Sequence, residues 1–269
     1  MKKTVVFLSD HTGLTAEAMG MSLLSQFRDI DYDVIHKPFV DSREKVQQVV
    51  REINHIAAQT GEQPIIFSTL VDPEIRQPLK DCQCLVLDYF ESYTHILEKE
   101  LKAAADYRHG QVHSMANANA YRNRIHAVNF ALTNDDGAIT RSYPDADLIL
   151  LGVSRSGKTP TCLYMGLQYG VLAANYPLTE DDLQTPQMPK ALREYKDKLY
   201  GLTIDPMQLQ RIRQERRSNG RYANLEQCRW EVDAAEKLYK RHQIPFINST
   251  AMSIEEMAVK ILADLGVKH

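Results

Sequence analysis

Apolar and polar positions along the first hundred residues switch repeatedly between two spacings. "TVVFLS" (4–9) is a β-rich run that ends in the polar "DHTG", and residues 15–27 then carry apolar residues at helical spacing. "YDVIHKPFV" (32–40) predicts a second strand. Asp41 with Glu44 reads as a capping box ahead of a helical pattern over 43–59 that stops at Gly61. "PIIFSTL" predicts a third strand, "DPEIRQPLK" a short helix with proline in its first turn, and "CLVLDYF" a fourth strand followed by a helix to about 103. Strand–helix alternation of this kind implies a parallel sheet with helices on its faces. In such sheets sites lie beyond the carboxyl ends of the strands, where Asp10, His11, Thr12 and Gly13 fall.

The periodicity loosens over 106–144, which reads as a connecting region with turn chemistry at Asp135-Asp136-Gly137. Alternation then returns. "DLILLGV", "VLAANYPL", "KLYGLTID" and "IPFINST" are strand-like, Pro206 opens an arginine-rich helical segment, and Ser253 with Glu256 forms a capping box for a last helix that runs to Gly266. The expectation is an α/β protein in two halves: an N-terminal α/β domain (1–105) serving as scaffold and partner-docking surface, the connector (106–144), and a nucleotide-binding domain (145–269).

Composition narrows the classes. A chain of 269 residues with 43% hydrophobic and 25% charged residues can build a large core without metals or disulfides. A net charge of −3 argues against a general nucleic-acid binder. No apolar stretch approaches the roughly 20 residues of a membrane span, and the N-terminal run breaks at Ser9-Asp10, so a cytoplasmic protein without a signal peptide is expected. The four cysteines, Cys82, Cys84, Cys162 and Cys228, fit no zinc or secreted-disulfide spacing, and the nine histidines show no ligand pairing.

The most specific local signal is Gly152-Val153-Ser154-Arg155-Ser156-Gly157-Lys158-Thr159, a full match to G-x-x-x-x-G-K-[ST]. Glycines let the backbone fold into a nest of N–H groups facing phosphate oxygens, and the helix that follows adds its positive end. Lys158 then reaches the phosphates and Thr159 offers a hydroxyl to Mg²⁺. Its place between a buried-looking strand and a helix is the context such a loop requires.

Other candidates carry two readings each. Asp205, closing "YGLTID", is either the acidic partner of a Mg²⁺ site or the N-cap of the helix that Pro206 opens. Arg211, Arg213, Arg216, Arg217 and Arg221 suit phosphate recognition, while a charge run is also how a solvated surface reads. Asp136 on its turn could act as general base toward a hydroxyl.

"FLSDHTGLTAE", "NDDG", "LLGVSRSGKTPT", "AANYPL", "GLTIDP", "RYANLEQC" and "IPFINST" occur in this order across nearly the whole chain. Together they resemble the bacterial phosphoenolpyruvate synthase regulatory proteins, relatives of the pyruvate, phosphate dikinase regulatory proteins. Gly157, which completes the loop pattern, resembles the synthase-directed branch. The resemblance implies a bifunctional serine/threonine kinase and phosphorylase. Such a protein phosphorylates a threonine of phosphoenolpyruvate synthase with ADP, and removes the phosphate with inorganic phosphate as acceptor, releasing pyrophosphate. For this chemistry the expected roles are phosphate binding by residues 152–159, catalysis by Lys158, Asp136 and Arg155, and Mg²⁺ held by Thr159 and Asp205. A homodimer is expected. A dikinase target, a small-molecule kinase and a non-catalytic nucleotide sensor are the competing functions.

Overall fold

The computed structural model describes residues 2–107, 118–137, 140–216 and 221–267. The chain divides into two compact units, Met1–Ser114 and Met115–His269. The first unit runs β1 (Lys2–Leu8), α1 (Leu14–Leu24), β2 (Asp31–Lys37), α2 (Arg43–Thr60), β3 (Ile65–Ser68), α3 (Pro73–Arg76), β4 (Leu85–Asp88) and α4 (Tyr89–Leu101). Its four strands are parallel in the order β2-β1-β3-β4. Strand alternation sends Val6, Leu8 and Ile66 to one face under Val46, Val49 and Ile53 of α2. Val5, Phe7 and Phe67 go to the other, under Ala16 and Leu24 of α1. The α2 cap is Ser42, whose hydroxyl accepts from the Lys45 amide at 3.4 Å; Asp41, the expected cap, instead pairs with the Lys45 ammonium at 2.7 Å. One residue decides the difference, since only Ser42 sits where its oxygen reaches the third helical amide.

The second unit runs α5 (Ala118–Thr133), β5 (Leu148–Gly152), α6 (Lys158–Tyr169), β6 (Ala173–Pro177), α7 (Glu180–Leu183), β7 (Leu199–Thr203), α8 (Pro206–Arg216), α9 (Leu225–His242), β8 (Phe246–Asn248) and α10 (Ile254–Leu265). The strand order β6-β5-β7-β8, again all parallel, repeats the topology of the first unit. Every residue of β5 is buried. Leu148 and Leu150 meet Met165 of α6 and Ile261 of α10 on one face. Ile149 and Leu151 meet Leu209 of α8 and Leu238 and Tyr239 of α9 on the other. Each such aliphatic side chain contributes about 1.5–3 kcal/mol on burial, so β5 is held rigidly and its end is a firm mount for a site.

α5 packs along α6 inside the second unit, with Ala127 and Ala131 buried. Among the described residues no helix is long and apolar enough to cross a membrane.

Candidate functional site

The crevice forms where the topology demands it. β5 lies between β6 and β7: the chain leaves it for β6 on one side and then crosses back to β7 on the other, so the carboxyl end of β5 opens at the switch point of the sheet. Gly152 ends the strand. A Cβ there would lie 2.6 Å from Ser156 Oγ and 2.7 Å from the Leu202 carbonyl, so only glycine lets the loop fold back this tightly. The Ser156 amide closes a turn onto the Val153 carbonyl at 3.2 Å. Gly157, at φ 97°, enters α6 in the left-handed region that glycine adopts without strain. Arg155 also takes a left-handed φ of 76°, a conformation that is costly for a side-chain-bearing residue and concentrates at functional loops. In the first turn of α6, Pro160 has no N–H and the Thr161 amide donates to the Gly157 carbonyl at 3.2 Å, which leaves the amides of Lys158 and Thr159 without a carbonyl within their own helix. Ser156 Oγ is buried and has no hydrogen-bond partner among the described residues. Free amides, a helix N-terminus and an orphaned hydroxyl together fit an anion.

Lys158 is folded into this loop and is 4% exposed. Its Nζ donates to the carbonyls of Gly152 and Val153, both at 3.0 Å. Burial lowers its pKa from 10.5 to about 8, against the pull of the Asp136 and Asp135 carboxylates, which raises it. The ammonium therefore sits in a place short of negative charge. A phosphate oxygen would supply it.

One wall of the crevice is acidic. Past α5 the chain turns through Asp135–Gly137, with Asp136 at a left-handed φ of 54°. Asn175 of β6 holds this turn: its carboxamide oxygen accepts from the Asp136 amide at 3.0 Å, and its NH₂ donates to the Asp135 carboxylate. The same Asp135 oxygen accepts from the Thr159 hydroxyl at 2.8 Å. Asp135 is thus committed to Thr159 and Asn175, whereas the Asp136 carboxylate makes no hydrogen bond among the described residues and lines the open cleft. The two neighbours have different work.

The opposite wall is braced by Arg213, which is fully buried. Its guanidinium meets Glu231 in a two-pronged contact at 2.6 and 3.2 Å, donates to the Ser154 carbonyl at 3.1 Å and to the Tyr222 carbonyl at 3.0 Å. It also stacks over the Tyr222 ring at 4.4 Å, and the Tyr222 hydroxyl lies 3.1 Å from Ser154 Oγ. Two charges buried at this depth persist only when paired and hydrogen-bonded, and here both are. The pair fixes Ser154, and with it the loop.

The cleft encloses about 510 Å³, against about 310 Å³ for two crevices in the first unit. Ser154, Arg155, Gly157, Lys158 and Thr159 line it together with Asp136. Val153 contributes only backbone, because its side chain is buried in the core. The expectation for Asp205 divides. Its carboxylate accepts from the amides of Met207 and Gln208 at 2.9 and 3.0 Å, so it is the N-cap of α8 and not part of the cleft lining. The carboxylate beside the Thr159 hydroxyl is Asp135. Among the five arginines, Arg216 lines the cleft, Arg213 is internal, Arg221 faces Glu180 at 3.5 Å, Arg211 is exposed away from it, and Arg217 lies outside the described residues. Sequence reasoning missed Asn175, Tyr222 and Glu231; of these Asn175, inside "AANYPL", and Tyr222, inside "RYANLEQC", carried a prior signal, and Glu231 carried none. Among the described residues no group of three or more His, Cys, Asp or Glu could hold a metal by itself.

A parallel sheet whose inner strand β5 feeds a glycine–lysine–threonine loop, faced by an aspartate pair, defines an α/β protein with its cleft at the carboxyl end of that strand. The profile of the kinase/pyrophosphorylase family matches residues 5–262, and the chain belongs to that family. Its similar relatives include proteins of Stutzerimonas stutzeri (53% identical), Legionella pneumophila strain Corby (52%) and Pseudomonas aeruginosa strain LESB58 (51%). Each matches over all 269 residues of this chain and 98–99% of its own length. All three are provisionally named phosphoenolpyruvate synthase regulatory proteins.

Proposed function

We propose that this protein regulates phosphoenolpyruvate synthase by two reactions at one site. In the first, the β-phosphoryl of ADP passes to a threonine hydroxyl of the synthase, leaving AMP and an inactive phosphoenzyme. In the second, inorganic phosphate attacks the phosphothreonine, restoring the hydroxyl and releasing pyrophosphate. The family membership and the relatives' names support the target and the chemistry. The observation that carries the reading is the buried Lys158 ammonium, held on two carbonyls beside an orphaned hydroxyl and the helix-end amides of Lys158 and Thr159.

Phosphoryl transfer depends on positioning and charge stabilisation more than on covalent chemistry. Lys158 and the loop amides hold the diphosphate, and Gly152 and Gly157 let it approach the backbone. Asp136, with its carboxylate uncommitted at the cleft wall, takes the threonine proton as the hydroxyl attacks. Arg155 and Arg216, exposed at the same cleft, balance charge on the transferring group and receive inorganic phosphate in the reverse direction. A hydroxyl and a carboxylate suit a hard cation, so Thr159 and Asp135 would hold Mg²⁺, which when bound neutralises diphosphate oxygens. The first unit serves as the docking surface for the synthase; α4 buries none of its residues and exposes Phe90, Tyr93, Leu97 and Leu101.

The test is incubation of the protein with histidine-phosphorylated synthase and β-labelled ADP. Label on a synthase threonine supports the reading. Label only on pyruvate, phosphate dikinase, only on a free metabolite, or nowhere despite nucleotide binding would replace it with one of the three competing functions.

A further inference from the structure

Away from this cleft, the first unit carries a feature that the phosphoryl chemistry does not use. Cys82 ends the turn after α3 in extended conformation (φ −82°, ψ 132°), the chain bends at Gln83 and Cys84, and β4 begins at Leu85. Burial alternates along this stretch: Cys82, Cys84, Val86 and Asp88 are half-buried or buried while Gln83, Leu85 and Leu87 are exposed, and Cys82, Cys84 and Val86 pack against the same apolar cluster. All four inward residues line one crevice of about 310 Å³, whose other wall includes Arg76 and Lys80. Both thiols are half-buried and free, and they lie within hydrogen-bond reach of one another. The remaining cysteines, Cys162 and Cys228, are fully buried in the second unit.

We propose that Cys82 and Cys84 form a reversible dithiol–disulfide site that reacts with low-molecular-weight disulfides entering this crevice. The chemistry is a two-step exchange. The Cys82 thiolate attacks one sulfur of R–S–S–R, forming Cys82–S–S–R and expelling RS⁻. Cys84 then loses its proton to solvent and attacks the Cys82 sulfur, forming Cys82–S–S–Cys84 and expelling the second RS⁻. Two electrons pass from the protein thiols to the reagent, which leaves as two thiols. The contact between the sulfurs sets the order. The Cys84 S–H bond to Cys82 lowers the Cys82 pKa, and the same contact, with burial, raises that of Cys84. Once Cys82 is capped, the charge that suppressed ionisation of Cys84 is gone.

The inference is independent of the proposed phosphoryl transfer. Its test is to equilibrate the full-length protein with glutathione and glutathione disulfide in graded ratios. Free thiols are then trapped by alkylation and the peptides mapped by mass. The expected result is a peptide lacking two hydrogens across Cys82 and Cys84, fully reversed by excess glutathione, with Cys162 and Cys228 alkylated after unfolding. Cys84→Ser is expected to stop at the glutathione adduct on Cys82, and Cys82→Ser to react at least about tenfold more slowly. A wild-type chain that stays reduced, or stops at adducts without a bridge, overturns the proposal; equal reactivity of the two variants overturns the order of attack.

Discussion

Replacing Lys158 by methionine separates the two demands placed on this side chain. Methionine fills a similar volume without a charge. Both carbonyls that lose the ammonium keep a backbone donor, the Ser156 amide on Val153 at 3.2 Å and the Leu178 amide on Gly152 at 3.0 Å. The charge term depends on pH. Burial lowers the Lys158 pKa from 10.5 to about 8, a difference worth about 3 kcal/mol. Below pH 8 the ammonium is charged in both folded and unfolded chains, and the fold bears the whole desolvation penalty. Between about pH 8 and 10.5 the folded chain gives up its proton first, so wild-type stability rises with pH. Above 10.5 the gain is complete. The methionine variant lacks this rise. The stability of wild type minus variant should therefore increase by about 2 kcal/mol between pH 7 and 9.5, displacing the relative urea midpoints by about 1 M. Trp230, the chain's single tryptophan, lies in α9 of the second unit and reports that unit's unfolding by fluorescence. Parallel pH curves for the two proteins would refute the desolvated lysine. A difference that shrinks as pH rises would mean that the aspartates outweigh burial.

Three further substitutions test the division of labour. Asp136→Asn should lower the rate of threonine phosphorylation by roughly 10²–10⁴ while nucleotide affinity stays near wild type; an unchanged rate in single-turnover labelling removes Asp136 as the base. Glu231→Gln leaves the buried Arg213 charge uncompensated, so a loss of about 3–5 kcal/mol in urea stability is expected, together with weaker binding of ADP. Wild-type stability would show that the Ser154 brace does not depend on the pair. Asp205→Ala should cost about 1 kcal/mol of stability as a lost N-cap and leave the magnesium dependence of labelling unchanged, whereas a raised magnesium requirement would return Asp205 to the cation site.

Strands could be read from the sequence because burial on both faces writes continuous apolar runs such as "LILLG", and the loop could be read because its glycines and lysine are local in sequence. α5 was not legible. It meets α6 through small residues such as Ala127 and Ala131, and alanines carry little weight in an apolar pattern. The pairing of Asp135 with Thr159 and Asn175 joins positions 24 and 40 residues apart, beyond the reach of any motif spacing. Arg213 was hidden among like charges: one arginine of a run is internal only because Glu231, 18 residues on, turns inward to meet it.

The central claim is that the loop grips a diphosphate through Lys158. The direct measurement is a crystal structure of the protein soaked with ADP. The account requires the diphosphate on the loop amides, with Lys158 Nζ drawn off the Gly152 and Val153 carbonyls onto the terminal phosphate. A nucleotide bound elsewhere, with the lysine still on those two carbonyls, would contradict it.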